Sequence, residues 1–170
     1  MNQRLQVEQR SMEKLIELVR QFDTAMLVTE TGDEEFRARP MVIADVTNEG
    51  EVWFVASLMS PKVDEITQDP RALVVLQSDG RYLSLSGTAS VRRDPERLKK
   101  LWSEPVRTWF RDQNDPNLVL LRVQPTWGEY WDNSGPQAIR YAARAARESD
   151  VGAPPPEPAD IEAHAKIRLE

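Results

Sequence analysis

The sequence predicts a mainly β protein, an antiparallel barrel of about six strands with short flanking helices. Two segments, 36–56 and 72–91, each have the pattern of two strands joined by a short polar turn. From Leu83 to Val91 small or apolar residues alternate strictly with serine and threonine, the period of a strand with one buried face. Because the strands do not alternate with helices, a parallel βαβ sheet is disfavoured and an antiparallel barrel fits better.

The chain opens with a predicted helix. Apolar residues recur at three- and four-residue spacing from Met12 to Phe22, which indicates a helix with one apolar stripe that packs as a lid on the barrel. The short apolar run at 25–29 then predicts a strand, and the polar segment 31–35 with its glycine predicts a turn.

The first hairpin joins residues 36–46 to residues 51–56 through a turn at Asn48-Glu49-Gly50. Pro40 has no N–H to donate to a strand ladder, so we expect it at an edge or an irregularity of the sheet. After the hairpin, Ser60-Pro61 predicts the start of a short helix that ends before Asp69-Pro70.

The second hairpin joins 72–77 to 82–91 through Ser78-Asp79-Gly80. Gly87, in the middle of its second strand, predicts a bend or the close approach of another backbone. Asp94-Pro95-Glu96 predicts a helix that continues through Trp102. Residues 118–123 and 128–131 then predict a last pair of strands around Pro125.

The end of the chain has a different composition. Residues 136–147 are rich in alanine and arginine and predict a helix, whereas 148–160 hold a cluster of prolines typical of a stiff, exposed linker. We therefore divide the chain into a barrel domain with its helices, 1–147, and a proline-rich tail, 148–170.

The chain has neither an apolar signal core at its start nor an apolar run of membrane-spanning length. We therefore expect a soluble, cytoplasmic protein without a membrane partner.

Composition excludes several kinds of chemistry. The 170 residues carry 22 Lys and Arg against 28 Asp and Glu, a formal net charge of −6, which disfavours nucleic acid as a partner. The chain has no cysteine, so disulfides, iron–sulfur clusters and thiolate sites are excluded. A single histidine, His164, excludes a multi-histidine metal site and disfavours a Ser-His-Asp triad. Any catalytic chemistry must therefore come from a bound cofactor, or from carboxylate, hydroxyl and cationic side chains.

Residues 57–62 carry the strongest local signal for binding. Ser60 is placed to cap a helix and Pro61 to begin it, so the amides of the first turn and the positive end of the helix dipole face outward. Lys62 adds a positive charge, and the hydroxyls of Ser57 and Ser60 can donate to an anion. Arg39, one strand earlier, offers a planar guanidinium to the same anion. These groups predict a phosphate cradle; the alternative is a simple helix cap, a solvated lysine and a surface ion pair at Arg39.

Four motifs in order carry a family resemblance. They are Arg39-Pro40-Met41, Trp53-Phe54-Val55-Ala56-Ser57 with Ser60-Pro61-Lys62, Leu85-Ser86-Gly87-Thr88-Ala89, and Glu129-Tyr130-Trp131-Asp132. Their spacing resembles the pyridoxamine 5′-phosphate oxidase-like split-barrel superfamily, in particular its general stress protein branch. The resemblance covers about residues 12–133, with further likeness at 164–169.

The resemblance implies a six-stranded split barrel that forms a homodimer and binds FMN, or alternatively FAD, in clefts at the subunit interface. Eight positions match residues that hold the flavin in the family. They are Arg39, Lys62, Ser57 and Ser60 at the phosphate, Met41 and Val42 along the isoalloxazine ring, and Val55 and Ala56 through their backbone.

Three further positions, Tyr82, Ser86 and Trp131, match residues that approach the flavin from the strands or from the partner subunit. For Trp131 a core or interface role is the equal alternative. Trp102 and Trp109 are expected to pack in the core or in a dimer contact. The resemblance also implies that residues 165–169 either fold back as a short strand or lie against the barrel.

One departure from the family narrows the function. The pyridoxamine phosphate oxidases place an Arg and a His two residues apart after the conserved tryptophan, where this chain has Gln137 and Ile139. Oxidation of pyridoxamine phosphate is therefore not expected.

The first hypothesis is a flavin-dependent oxidoreductase of unknown substrate, and the second is a non-enzymatic flavin-binding or flavin-sensing module. A third is a related barrel that uses deazaflavin or haem. We expect Glu129 and Asp132 to be solvated or ion-paired rather than catalytic.

Overall fold

A computed structural model of the chain describes residues 3–134 and 164–169. The elements of these residues are α1 (Gln3–Val19), β1 (Thr24–Glu30), β2 (Phe36–Val46), β3 (Val52–Ser57), α2 (Pro61–Gln68), β4 (Arg71–Ser78), β5 (Arg81–Arg92), α3 (Pro95–Lys100), α4 (Glu104–Trp109), β6 (Leu118–Asp132) and β7 (His164–Arg168). The strands form one sheet in the order β3-β2-β1-β4-β5-β6-β7, and β3 also pairs with β6. This pairing closes β1 to β6 into a barrel and leaves β7 outside it. The predicted six-stranded antiparallel barrel with short flanking helices is therefore confirmed.

Both predicted hairpins are present, as antiparallel pairs β2–β3 and β4–β5. The turn of the second has two residues with positive φ, Asp79 at 49° and Gly80 at 79°. Such a two-residue turn matches the right-handed twist of the flanking strands, which explains why the Asp-Gly pair marks a hairpin here.

The prediction of two strands around Pro125 was wrong, since residues 118–132 form one continuous strand, β6. The register against β5 shifts there: Ser86 faces Trp127, but Gly87 faces Pro125. Such a bulge tolerates a proline without ending the strand. A Cβ atom on Gly87 would lie 2.1 Å from the Gln124 carbonyl oxygen, so the predicted close approach of a second backbone at Gly87 is confirmed.

The first helix is longer than its apolar pattern, beginning at Gln3, and its apolar face joins the core of the barrel. Leu15, Leu18 and Val19 are each 1% exposed. A Cβ atom on Gly128 of β6 would lie 2.2 Å from the Leu15 side chain, so this glycine leaves the space that Leu15 fills. α1 therefore packs on the barrel as the pattern predicted.

The helical segment after Asp94 is divided in two. α3 ends at Lys100 rather than at Trp102, and α4 begins after Ser103 with a proline, Pro105, in its first turn. Because proline cannot donate a backbone hydrogen bond inside a helix, it favours a new helix start at this point.

Two apolar clusters result. The larger fills the barrel and includes the inner faces of the strands and of α1. The smaller lies outside the barrel, where α3 and α4 cover β3 and β6; its buried members are Trp53, Val55, Leu98, Val106, Leu118 and Leu120. This outer cluster fixes α4 beside β2 and β3, and thereby shapes the candidate site.

The C-terminal segment 164–168 pairs with β6 as β7, and Ile167 is buried in the larger cluster at 5% exposure. The strand implied for 165–169 is thus present. The expected helix at 136–147, the linker at 148–160, and Gln137 and Ile139 lie outside the described residues. In the part of the chain that the structure describes, no helix has the length and apolarity needed to cross a membrane.

Candidate functional site

The candidate site is a cleft where strands β2 and β3 separate. In the described residues β2 pairs with β3 only from Ile43 to Val46, with a bulge between Ile43 and Asp45. Residues 36–42 of β2 have partners only in β1, and residues 55–57 of β3 only in β6. Pro40 lies in this separated stretch, which is the irregularity expected for it. The facing edges of β2 and β3 therefore lack a strand partner in this stretch.

The cleft has a volume of about 290 Å³. Its lining combines two cations with apolar side chains from β2, β3 and α4. The lining residues are Thr24, Arg39, Pro40, Met41, Val42, Val55, Lys62, Val106, Trp109 and Phe110. A cleft that pairs cations with apolar walls suits a ligand with an anionic group and an apolar body.

Arg39 is anchored by buried groups of β1 and α2. Its guanidinium lies 2.6 Å from the Glu65 carboxylate and also donates to the Thr29 hydroxyl, which in turn donates to Glu65 at 2.6 Å. Thr29 is 1% exposed and Glu65 is 7% exposed. Arg39 is thus an ion-pair partner, as the alternative interpretation had it, but its partner is buried and Arg39 still lines the cleft.

The electrostatics of Glu65 show how strongly it is held in its charged form. Burial raises the pKa of this carboxyl, but hydrogen bonds from Thr29 and Arg39, with the charges of Arg39 and Arg37, outweigh burial and lower the pKa. Arg37 lies 3.6 Å from the second carboxylate oxygen. Glu65 therefore remains a carboxylate and holds Arg39 in one orientation.

Lys62 is partly buried beside Arg39 and donates a 2.6 Å hydrogen bond to the Ser60 hydroxyl. Burial lowers the pKa of Lys62, the positive charge of Arg39 lowers it further, and Glu65 opposes this effect. Two cations thus repel each other at one cleft. An anion bound beside Lys62 would favour its charged form.

The two serines lie in the connection from β3 to α2. Ser60 occupies the predicted cap position of α2 in extended conformation, but its side chain makes no capping hydrogen bond and instead accepts from Lys62. Ser57 ends β3 and accepts a 3.2 Å hydrogen bond from the Met59 amide. Neither serine lines the cleft itself.

Of the residues expected to contact the isoalloxazine ring, Met41, Val42 and Val55 line the cleft. Ala56 is 1% exposed as a whole residue and pairs with Val119 of β6, so it is covered in a single chain and its backbone contact with a ligand stays a prediction. The first hairpin and α2 thus bring together five predicted site residues in one cleft: Arg39, Met41, Val42, Val55 and Lys62.

The other three predicted residues lie elsewhere on the chain. Tyr82 and Trp131 face each other across β5 and β6, and Trp131 stacks on His164 with ring centroids 5.2 Å apart. Ser86 lines a second cleft of about 320 Å³ beside Trp127 and Lys166. A single chain therefore does not bring Tyr82, Ser86 and Trp131 to Arg39 and Lys62.

The two carboxylates considered near the tryptophan have partners: Glu129 shares a hydrogen bond with His164, and Asp132 is ion-paired with Lys14, as expected. Glu129 lies 3.1 Å from His164, and Asp132 lies 3.4 Å from Lys14. Burial raises the pKa of Asp132, but hydrogen bonds from Ser134 and the charge of Lys14 bring it below its ordinary value.

Three site residues were missed in the sequence. Glu65 lies three residues after Lys62, a spacing that puts both on one side of a helix and could have flagged it. Thr29 had no sequence signal for this role, because its contact with Arg39 depends on the β1–β2 register. Trp109, expected in a core or dimer contact, is 67% exposed and lines the cleft, so it does not lie in the core of one chain, and the dimer contact stays a prediction.

Residues 10–150 match the sequence profile of pyridoxamine 5′-phosphate oxidase-like proteins. The chain belongs to the pyridoxamine 5′-phosphate oxidase-like family. General stress protein 26 of Bacillus subtilis (strain 168) is 32% identical over 79 residues, which are 44% of this chain and 56% of that relative. The match thus spans little more than half the length of this family relative.

Two solved structures show that the fold is shared. The General Stress Protein 26 of Bacillus anthracis str. Sterne is 24% identical, with a TM-score of 0.64 over 70% of this chain and 92% of that one. A pyridoxamine 5′-phosphate oxidase-related, FMN binding protein of Nostoc punctiforme is 16% identical, with a TM-score of 0.52 over 75% of this chain and 83% of that one. At these sequence identities, the similarity to the two structures shows a shared barrel fold and no more.

Proposed function

We propose that this protein binds a flavin, FMN in the first place and FAD as the alternative, with the phosphate on Arg39 and Lys62. The observation that carries the proposal is geometric: two cations, Arg39 and the partly buried Lys62, line one cleft together. A phosphate monoester has the charge and the acceptor oxygens for both a guanidinium and an ammonium group. The family, and the FMN binding named for the Nostoc punctiforme neighbour, support the same cofactor.

The other residues in and beside the cleft have roles that follow from their positions. Ser60 holds Lys62 through its hydroxyl, and the first turn of α2 with Ser57 completes the phosphate end. Met41, Val42 and Val55 provide an apolar wall for the ring. In our proposal, backbone groups of β2 and β3 that lack a strand partner on their facing edges, those of Ala56 among them, contact the ring heteroatoms.

A homodimer completes the proposed site. At about 290 Å³, the cleft of one chain lies at the lower limit of small-molecule sites, roughly 300–1,000 Å³. Tyr82, Ser86 and Trp131 lie outside it in the same chain, so in our proposal the partner subunit brings these three residues to the flavin.

The proposed activity is that of a flavin-dependent oxidoreductase in the general stress protein branch. A bound flavin would supply hydride transfer. This chain binds the phosphate, orients the ring against β2 and β3, and limits access of water through the apolar wall. The described lining contains no carboxylate and no histidine, so Lys62 is its one side chain of a type commonly used in general acid–base catalysis. That observation favours the second candidate, a non-enzymatic flavin-binding or flavin-sensing module.

The cofactor is tested by the absorption spectrum of the full chain purified without added flavin. Absorption bands at about 370 and 450 nm are expected for a flavin chromophore. Chromatography of the compound released on denaturation then distinguishes FMN, FAD and deazaflavin. A colourless protein that stays colourless after incubation with FMN would contradict flavin binding.

The two candidate activities are separated by anaerobic addition of NADH or NADPH to the flavin-loaded protein. Loss of the band at about 450 nm shows that the flavin accepts a hydride. An oxidoreductase that uses pyridine nucleotides bleaches and recovers its colour in air. Retention of colour with both donors, together with tight flavin binding, supports the binding module.

A further inference from the structure

We propose that Trp109 is a positioning residue that stacks on the ring of the ligand whose phosphate Arg39 and Lys62 hold. This inference rests on the proposed flavin binding. It concerns a residue that neither the sequence motifs nor the family comparison connects with the site.

The exposure of Trp109 is the first argument. Its side chain is 67% exposed, whereas Val106, one helical turn earlier, is 1% exposed in the outer cluster. A tryptophan has a large apolar surface of roughly 150–250 Å², so packing it away is favourable when the fold allows. α4 thus buries its valine and presents its indole to the cleft.

The anchoring of α4 is the second argument. Val106 and the partly buried Phe110 pack in the cluster that also takes Val42 and Ala44 of β2. Trp109 is the last residue of α4, and Phe110 continues in extended conformation with φ −128° and ψ 130°. The indole therefore stands on a short helix that is fixed to the strand forming the wall of the cleft.

The composition of the cleft supplies the third argument. Val42 and Val55 belong to the strands, and Trp109 lines the same space from α4. A planar, apolar ring that contacts the strand wall meets an aromatic side chain of matching shape, and stacking of two aromatic systems is favourable beyond the area buried. Arg39 and Lys62 thus bind the phosphate, and Trp109 stacks on the ring.

The test is a titration of flavin-free full-length protein with FMN, following both affinity and the fluorescence of the bound flavin. The variants are Trp109→Leu, which removes the ring, and Trp109→Phe, which keeps one. Phe36→Leu is the matched control, because Phe36 is 77% exposed and lies outside the cleft. Trp109→Leu is expected to weaken FMN binding roughly two- to tenfold, the value of one stacked aromatic pair. It should also brighten the bound flavin, because a stacked indole quenches flavin fluorescence by electron transfer. Trp109→Phe keeps most of the affinity, and the control equals the wild type.

The outcomes separate the two proposals. If wild type binds FMN and Trp109→Leu binds it equally, with unchanged flavin fluorescence, the stacking role is overturned and flavin binding stands. If Trp109→Leu changes only the oligomeric state, Trp109 is a contact between copies and the inference is also overturned. If wild type does not bind FMN at all, the proposed function fails and this inference fails with it. Circular dichroism of both variants confirms that they are folded, as expected for a mostly exposed side chain.

Discussion

Arg39 is oriented before any ligand arrives, because Glu65 and Thr29 hold its guanidinium from inside the barrel wall. A side chain that is already ordered loses little conformational freedom when it binds, so this arrangement favours affinity. Replacing Arg39 would leave the buried Glu65 carboxylate without this partner, and would therefore lower the stability of the fold as well as the affinity of the site. Lys62 is therefore the better residue for testing the anion site.

The first prediction concerns Glu65 and acid. Its pKa is lowered in the folded state from an ordinary 4.5, so its contribution to stability is present above that value and lost as pH falls through the folded pKa. Urea unfolding at a series of pH values from neutrality into the acid range measures this. Glu65→Gln should be about 1–3 kcal/mol less stable than wild type at neutral pH, with a difference that shrinks in acid.

Glu104→Gln provides the control, since Glu104 is largely exposed in a surface pair with Arg107. A constant difference between wild type and Glu65→Gln across the acid range would contradict the role given to Glu65.

The second prediction concerns Lys62 and the pH dependence of FMN binding. The pKa of Lys62 is below its ordinary 10.5 in the free protein, and a bound phosphate would raise it, since an anion stabilises the charged form. Affinity should thus be constant at neutral pH and fall as pH rises through the free-protein pKa, earlier than for an exposed lysine. The measurement is the FMN dissociation constant over the alkaline range.

Lys62→Arg is the matched variant, because a guanidinium stays charged throughout this range. It should bind FMN with a flatter alkaline profile. Identical profiles for Lys62→Arg and wild type would show that Lys62 does not titrate against the ligand.

At the scale of elements, the bulge between β5 and β6 carries the third prediction. Gly87→Ala places a Cβ 2.1 Å from the Gln124 carbonyl oxygen and 2.7 Å from the Pro125 Cα, both backbone atoms that cannot rotate away. The strands must separate, so we expect a loss of roughly 1–3 kcal/mol in the free energy of unfolding, measured in urea.

Gly32→Ala is the comparison, because its added Cβ would meet only the end of the Gln68 side chain at 3.1 Å. Its stability should stay close to that of wild type. If Gly87→Ala and Gly32→Ala have equal free energies of unfolding, the bulge accommodates the added Cβ without loss of stability, which would contradict the prediction.

The sequence predicted those elements whose signals are local. The serine alternation of β5, the Asp79-Gly80 turn and Pro61 at the start of α2 all act within a few residues, and each was recognised. The continuity of β6 was not, because the bulge that absorbs Pro125 depends on Gly87 in another strand. The division into α3 and α4 was missed although Pro105 marked it.

The candidate site shows the same division between local and long-range signals. Arg39 and Lys62 could be proposed from motifs, because their residue types at these positions carry a family resemblance. The Glu65 contact with Arg39 joins α2 to β2, and the position of Trp109 depends on how α4 docks on the outer cluster. Neither follows from spacing along the chain alone.

At the scale of the whole molecule, the fourth prediction is a homodimer. The cleft and the Tyr82, Ser86 and Trp131 group lie on different parts of one chain, and two copies are needed to join them at one flavin. Light scattering coupled to size exclusion should give twice the 19.5 kDa of one chain for the flavin-loaded protein. A monomer with one flavin tightly bound would contradict the contribution of the partner.

The phosphate assignment is tested most directly by comparing FMN with riboflavin, which lacks only the phosphate. Both ligands are titrated into flavin-free wild type, Lys62→Gln, and Lys100→Gln, a control at an exposed lysine of α3 outside the cleft. Wild type and Lys100→Gln should prefer FMN to the same extent, whereas Lys62→Gln should lose roughly 10- to 100-fold of that preference, the value of one charge-assisted contact, and keep its riboflavin affinity, since Arg39 still holds the phosphate. An unchanged preference for FMN in Lys62→Gln would show that the phosphate binds elsewhere.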